Sequence, residues 1–338
     1  MGEFELIQHY FASATQGNGV ILGIGDDAAI LSPGSKPMLV SVDTLISGVH
    51  FPEQTSAADI ACKALAVNVS DIAAMGGIPR WFTLALTLPD SSDGQWLAAF
   101  AAGLATTASH YNVSLVGGDT TRGPLSITIN IIGEAEQPPL RRDGAKAGDK
   151  VYVTGTLGDA AAALPFALGE QSLTGKSAAD TMKSIDSSAS VAKQTALIKC
   201  LKRLNRPQAR TDVAPVISRF ASACIDVSDG LLQDLGHILK ASLLNAALDP
   251  TMLPISKSLR TLHDPAKQQA LALSGGDDYE LLFTVPAIQC VELEQAVSAA
   301  ELGVTAIGAL IVPNSKADYG HITDQQGQPL QIKGFQHF

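Results

Sequence analysis

Several kinds of chemistry are excluded by what this chain has little of. Its four cysteines, Cys62, Cys200, Cys224 and Cys290, stand far apart with no C-x-x-C spacing. Neither a disulfide framework nor a thiolate metal site is expected, and the thiols read as reduced core residues. Basic residues are outnumbered, 23 Lys and Arg against 33 Asp and Glu, for a net charge of −10. Without a basic stripe to displace phosphate counterions, nucleic acid is not an expected partner. A nucleotide remains open, because carboxylates can hold the magnesium that accompanies one.

Long apolar runs are also missing. Segments such as Trp96–Ala105 are too short to span a bilayer. The acidic start Met1-Gly2-Glu3-Phe4-Glu5 does not read as a secretory signal, and Leu6 stands where a myristoylation signal needs Ser or Thr. A cytoplasmic protein without a membrane partner is expected. Aromatics make up 5% of the chain against 46% apolar residues, so the core is built from Ala, Leu, Val and Ile, as in ordinary α/β proteins. A length of 338 residues suggests two domains, divided near the connector at Pro138-Pro139 into 1–137 and 138–338.

What is there is a recurrent pairing of glycine with acid. Gly23-Ile24-Gly25-Asp26-Asp27-Ala28-Ala29-Ile30 places two adjacent carboxylates after a glycine turn in an apolar segment. Adjacent acids repel, and burying them costs free energy unless a cation or donor compensates. A turn capped by its own Asp residues accounts for this stretch equally well. The metal reading gains because acids in glycine-bearing or apolar settings return at Asp43, Asp71, Asp119, Asp226, Asp229 and Asp277-Asp278.

In chain order, residues 4–13 suggest an amphipathic helix. Met38–Asp43 reads as a buried strand ending on an acid, and His50 lies in the loop beyond. Residues 57–75 read as an apolar helix on which Asn68 and Asp71, three apart, share a face. Strands follow at 81–88, 113–116 and 125–133, with a helix near 93–110. The loop expected at Gly117-Gly118-Asp119-Thr120-Thr121-Arg122-Gly123 would let backbone approach an anion and its metal, or would be a plain turn. Arg141-Arg142 offers a phosphate fork, though adjacent loop arginines are usually just solvated. A strand at 151–153 runs into Gly155–Ala160, a turn opening a helix whose N-terminus would attract phosphate or simply reverse the chain.

Residues 169–190 are polar, and Gly169…Gly175-Lys176-Ser177 mimics a Walker A loop. Its first glycine is one residue too distant, and no buried strand precedes it. No protein-kinase catalytic-loop set, no Ser-His-Asp or Cys-His nucleophile set and no EF-hand spacing is apparent either. Ala223-Cys224-Ile225-Asp226-Val227-Ser228-Asp229-Gly230 reads as a short buried strand delivering Asp226, with Ser228 or Asp229 capping a helix over 230–241. Capping explains one acid of the two. Ser274-Gly275-Gly276-Asp277-Asp278-Tyr279-Glu280 is another glycine-acid loop, here entering a strand; a helix near 287–301 and a strand at 304–309 follow.

Taken in order, Gly23–Asp27, Asp43, Asn68–Asp71, Gly117–Asp119, Arg142–Gly144, Asp226–Gly230, Ser274–Glu280 and the ending Lys333–Phe338 resemble bacterial thiamine-monophosphate kinase. That family shares the fold of aminoimidazole ribonucleotide synthetase, selenophosphate synthetase and hydrogenase-maturation proteins. The resemblance implies two α/β domains and a homodimer whose N-terminal strands form a shared barrel. It also implies ATP with several Mg²⁺ ions in a cleft, and transfer of the γ-phosphoryl group to thiamine monophosphate.

Carried over, the metal ligands are Asp27, Ser41, Val42 (through its carbonyl), Asp43, Asp71, Asp119, Asp226 and Asp229. Nucleotide contacts fall on Gly118, Asp119, Arg142, Ser228 and Tyr111, and substrate contacts on His50, Asp277 and Phe335. Asp71, Arg142 and Asp226 carry the catalytic role. Asp277 stands where the family more often has Glu, an arm shorter by one methylene, and the polar insert near 170–190 is a second departure. Aminoimidazole ribonucleotide synthetase activity and non-catalytic nucleotide or cation binding are the rival readings. Selenophosphate synthetase is disfavoured, because no reactive Cys precedes Asp26.

Overall fold

The computed structural model describes residues 9–10, 19–22, 30–31, 34–90, 92–136, 138–171, 173, 188–315 and 318–331. The expected N-terminal helix, the Gly23–Ala29 loop, most of the polar insert and the Lys333–Phe338 ending lie wholly or mainly outside them. The chain divides into two compact units, Met1–Pro139 and Leu140–Phe338.

In the first unit a short antiparallel pair, β1 (Val20–Leu22) and β2 (Ile30–Leu31), precedes a four-stranded sheet. Its strands are β3 (Met38–Ile46), β4 (Gly77–Leu88), β5 (Ser114–Arg122) and β6 (Ser126–Ala135), in the order β3-β6-β4-β5. Only β4 and β5 run parallel, and a helix, α2 (Gly94–Tyr111), makes the crossover such a pair needs. Ahead of β4 lies α1 (Ala57–Ala74), apolar almost all round and correspondingly buried. Ser56 starts α1 by accepting the Asp59 amide at 3.2 Å, and Asp93 starts α2 by accepting that of Trp96 at 2.8 Å. The two helices pack closely at Gly103, where a β-carbon would sit 2.6 Å from the Ala58 carbonyl oxygen.

Two expectations are corrected here. The strand from Met38 neither ends at Asp43 nor is buried: it continues to Ile46 with every second side chain exposed, because β3 is a sheet edge with one open face. The segment Gly117–Arg122 is strand, since β4 pairs with it in parallel as far as Leu88 opposite Arg122. Flexible-looking glycines misled the local reading, and the ladder overrides them.

The second unit is built on a six-stranded sheet, antiparallel except for one edge pair. Its strands are β7 (Lys150–Thr154), β8 (Ala223–Asp226), β9 (Asn245–Leu248), β10 (Leu281–Val285), β11 (Val304–Ile311) and β12 (Ile322–Asp324), in the order β12-β9-β11-β7-β10-β8. Helices α3 (Asp159–Ala167), α4 (Ser188–Asn205) and α5 (Ala214–Ile217) lead to β8, and α6 (Leu231–Ser242) leaves it. Short helices α7 (Lys257–Leu262) and α8 (Pro265–Ser274) precede β10, and α9 (Cys290–Ala299) follows it. The main core joins Val151, Val153, Ile225, Leu282 and Ile307 of the sheet to Leu231, Leu235 and Ile238 of α6. None of the four cysteines, all of them among the described residues, is in a disulfide, and burial pushes the Cys200 and Cys224 thiols up, away from reactivity. No helix among the described residues is long and apolar enough to cross a membrane.

Candidate active site

In the first unit, α1 lies against the edge strand so that the shared face of Asn68 and Asp71 meets β3. The Ser41 hydroxyl donates to Asp71 Oδ2 at 2.6 Å. The Asp43 amide donates to Asn68 Oδ1 at 3.0 Å, and Asn68 Nδ2 returns a bond to the Ala64 carbonyl at 2.9 Å. Asn68 is fully buried and both ends of its amide are used, Oδ1 fixing the strand that carries Asp43 and Nδ2 anchored on the helix's own backbone. Ser41 and Asp43 lie two apart on one side of β3, while Val42 between them turns a 56%-exposed side chain the other way.

Strand register sets the place of the remaining residues. Asp43 pairs with Ile129, Ile129 with Leu84, and Leu84 with Gly118, so Asp43 and Gly118 occupy one row across the sheet. Three strand spacings, about 14 Å, separate them. Asp119 falls one row further on, opposite Ala85, exposed and accepting the Thr120 amide on Oδ1 at 2.9 Å. Asp119 therefore does not sit beside the Ser41–Asp71 pair. Gly118 itself is a packing glycine: a β-carbon there would lie 2.0 Å from the Leu84 carbonyl oxygen. His50 folds back on its own loop, Nδ1 accepting the Ile46 amide at 2.9 Å, which leaves the proton of the neutral ring on Nε2. Tyr111 is buried at the end of α2, its ring edge-on to His110 with centroids 4.7 Å apart. Asp27 and Phe335 lie outside the described residues.

The second unit gathers acids around the start of α6. Asp226 ends β8 and is buried, as are all four residues of that strand. The expected cap by Ser228 or Asp229 is absent: the helix is closed from within by Asp234, whose Oδ2 accepts the amides of Asp229 and Gly230, each at 3.1 Å. Gln233 holds the Asp229 carboxylate at 2.9 Å. Burial, then the charges of Asp226 and Asp229, push the Asp234 carboxyl up to about 8 against the pull of those two amides.

Among the described residues, Asp229, Asp234 and His237 are the group of three with ligand atoms within 4.8 Å of one another. Asp234 and His237 were not anticipated from the sequence; their spacing of five and eight from Asp229, along the helix expected over 230–241, was the available signal. Arg142 is exposed and lies close enough to His237 to depress its imidazole, after burial. The expected arginine fork is divided: Arg141 is taken by Asp143 in a two-pronged pair at 2.8 and 2.5 Å, and only Arg142 faces α6.

The loop before β10 differs from its reading as well. Asp277 is half-buried and accepts from the Tyr279 hydroxyl at 3.3 Å, but Asp278 and Glu280 point into the protein. Asp278 Oδ2 accepts the Gly158 amide at 2.7 Å. The helix N-terminus that had suggested a phosphate site thus already holds a carboxylate of its own chain. Burial holds that carboxyl well above the ordinary range despite the nearby Arg203. Ser228 meets this loop through its carbonyl, which accepts the Asp277 amide at 2.8 Å.

These two units, an edge-strand sheet and an antiparallel sheet with its acids at a strand-to-helix turn, define the AIR synthase-related class. The N-terminal domain of AIR synthase-related proteins matches residues 25–135. The chain is 41% identical over 340 residues to thiamine-monophosphate kinase of Escherichia coli strain K12, covering all of this chain and 98% of that one. Among solved structures, thiamine-monophosphate kinase from Stenotrophomonas maltophilia K279a superposes with a TM-score of 0.82 at 40% identity, covering 98% of each chain. A structure described as AaThiL complexed with AMPPCP and TMP gives 0.74 at 30% identity, covering 93% of this chain and 92% of that one. The chain belongs to the thiamine-monophosphate kinase family.

Proposed function

We propose that the chain transfers the γ-phosphoryl group of ATP to thiamine monophosphate, giving thiamine diphosphate and ADP, in a reaction that Mg²⁺ would assist. Family membership over the whole length carries this reading. The acceptor is a phosphate monoester with a second pKa of about 6, already largely a dianion at neutral pH. Its oxygen forms the new P–O bond as the bond between the γ-phosphorus and the β–γ bridging oxygen breaks. No protein base is needed, and catalysis reduces to alignment and charge neutralisation.

The donors of each unit suit hard cations, being hydroxyl, carbonyl and carboxylate oxygens: Ser41, Val42, Asp43 and Asp71 with Asp27 in the first unit, Asp119 apart from them, and Asp226 and Asp229 in the second. Asp234, raised first by burial and then by the charges of Asp226 and Asp229, lies among acids whose repulsion a divalent ion would relieve. Bound Mg²⁺ would supply neutralisation of the two polyanions. Asp71 and Asp226 hold and orient, and Arg142, free of the Arg141–Asp143 pair, faces developing charge. Asp119, Ser228 and Tyr111 meet the nucleotide, Gly118 serving the strand packing beside Asp119; His50, Asp277 and Phe335 meet the substrate.

A second copy of this chain covers β3. That edge strand exposes Met38, Val40, Val42 and Ile46 along one face, at 38, 64, 56 and 40%. Such an edge pairs or aggregates unless it is covered, which supports a homodimer closed through these strands. The protein works in the cytoplasm. Incubation with ATP, Mg²⁺ and thiamine monophosphate tests the proposal: thiamine diphosphate is the expected product. Nucleotide binding without that product would move the chain to another activity of the fold or to non-catalytic binding.

A further inference from the structure

Glu280 is 1% exposed and receives two arginines: Arg203 Nη2 lies 2.8 Å from Oε1 and Arg210 Nε 3.6 Å from Oε2. The same Arg203 nitrogen donates to the carbonyls of Asp278 at 3.2 Å and Thr156 at 3.5 Å. Thr154 donates to Glu280 Oε2 at 2.6 Å while accepting the Leu281 amide at 2.8 Å. With Asp278 fixed on Gly158, alternate residues of the loop are fastened from beneath.

The residues beside them carry the consequence. Asp277 and Tyr279 have φ of 67° and 50°, the left-handed region, which a non-glycine residue keeps only where its surroundings over-determine it. Their amides are tied across to Ser228 and Val227, each at 2.8 Å, and Gly276 has no room for a β-carbon, which would fall 2.5 Å from the Ser228 carbonyl oxygen. Replacing a buried ion pair with apolar groups is often neutral for stability, while such a pair can select one conformation. A network of this kind, fastening a loop in an unfavourable backbone shape, fits conformational selection better than bulk stability.

We infer that Arg203 is a positioning residue: through Glu280 and the Asp278 carbonyl it holds the 277–279 backbone so that the short Asp277 arm reaches the substrate. The inference rests on the proposed contact between Asp277 and thiamine monophosphate. Arg203→Lys keeps the charge and shortens the arm whose terminal nitrogen, Nη2, makes all three contacts.

Calorimetric titration of thiamine monophosphate, and separately of AMPPCP with Mg²⁺, into wild type, Arg203→Lys, Asp277→Ala and the double variant tests it. Affinity for thiamine monophosphate should fall about tenfold in Arg203→Lys, with AMPPCP affinity within about twofold, and the double variant should be no weaker than Asp277→Ala alone. Equal loss of both ligands, or additive losses in the double variant, overturns the inference. So does an Arg203→Lys chain that does not fold, since a residue that only positions a loop leaves the sheet intact. Should wild type not bind thiamine monophosphate, the substrate assignment fails instead. Hydrogen exchange at the 277–279 amides then decides the role of Arg203: faster exchange in Arg203→Lys supports it, and unchanged exchange refutes it.

Discussion

Gly118→Ala separates two reasons for a glycine. If Gly118 exists to let a phosphate approach the backbone, alanine should harm nucleotide binding and leave the fold alone. The structure gives the other reason: the new β-carbon would meet the carbonyl oxygen, carbonyl carbon and amide nitrogen of Leu84 at 2.0, 2.9 and 3.1 Å. All three atoms belong to the paired strand β4, so no side chain can rotate out of the way. The β4–β5 pair must open by more than an ångström at the first contact. Overpacking costs about 1–3 kcal/mol, and a rigid backbone neighbour places this case at the upper end. For a unit of 139 residues, each kcal/mol lowers the melting temperature by about 4 °C, so a fall of about 10 °C is expected. Gly117→Ala is the control, because its nearest neighbour is the Thr83 methyl at 3.9 Å, an ordinary contact. Differential scanning calorimetry of the two variants reads the difference. Equal melting of Gly118→Ala and wild type, with nucleotide binding lost, would refute the packing argument.

Asn68→Ala leaves the Asp43 amide without its acceptor and should cost about 1–3 kcal/mol in urea denaturation while raising the Mg²⁺ needed for half-maximal turnover. Unchanged Mg²⁺ dependence would detach Asn68 from the site. Asp278 gives a pH prediction. Its carboxyl is raised in the folded state, so the stability it contributes is fully present below the unfolded value near 4 and is lost as pH rises from there toward the folded value. The slope is at most about 1.4 kcal/mol per pH unit. Asp278→Asn should flatten it as pH rises above the ordinary carboxylate range in urea denaturation, and an unaltered slope would show Asp278 ionised in the folded protein. Val40→Lys, on the exposed face of β3, should shift sedimentation from dimer to monomer; a monomeric wild type would remove the proposed interface.

How much of this could be seen in the sequence depended on whether the signal was local. The Asn68–Asp71 pair followed from helical spacing within α1, and Ala223–Asp226 from a short apolar run ending on an acid. The open face of β3 was missed, because exposure of Val40 and Val42 follows from the strand's place at the sheet edge, which apolar composition does not reveal. Gly117 and Gly118 looked like a loop until paired with β4. Arg203 gave no local hint, since its partner Glu280 lies 77 residues away. Asp234 was hidden by the assumption that a helix is capped by the residues before it. The strands β9 and β12 and helices α4, α5, α7 and α8 were left unassigned, being short or polar enough to need their tertiary partners.

Titration of AMPPCP in the presence and absence of Mg²⁺, for wild type and Asp71→Asn, goes to the root of the matter. Wild type should bind the nucleotide tightly only with Mg²⁺, and Asp71→Asn should lose that enhancement and the formation of thiamine diphosphate while melting within about 2 °C of wild type. An Asp71→Asn chain that keeps both the Mg²⁺ enhancement and wild-type turnover would contradict the role given to these carboxylates.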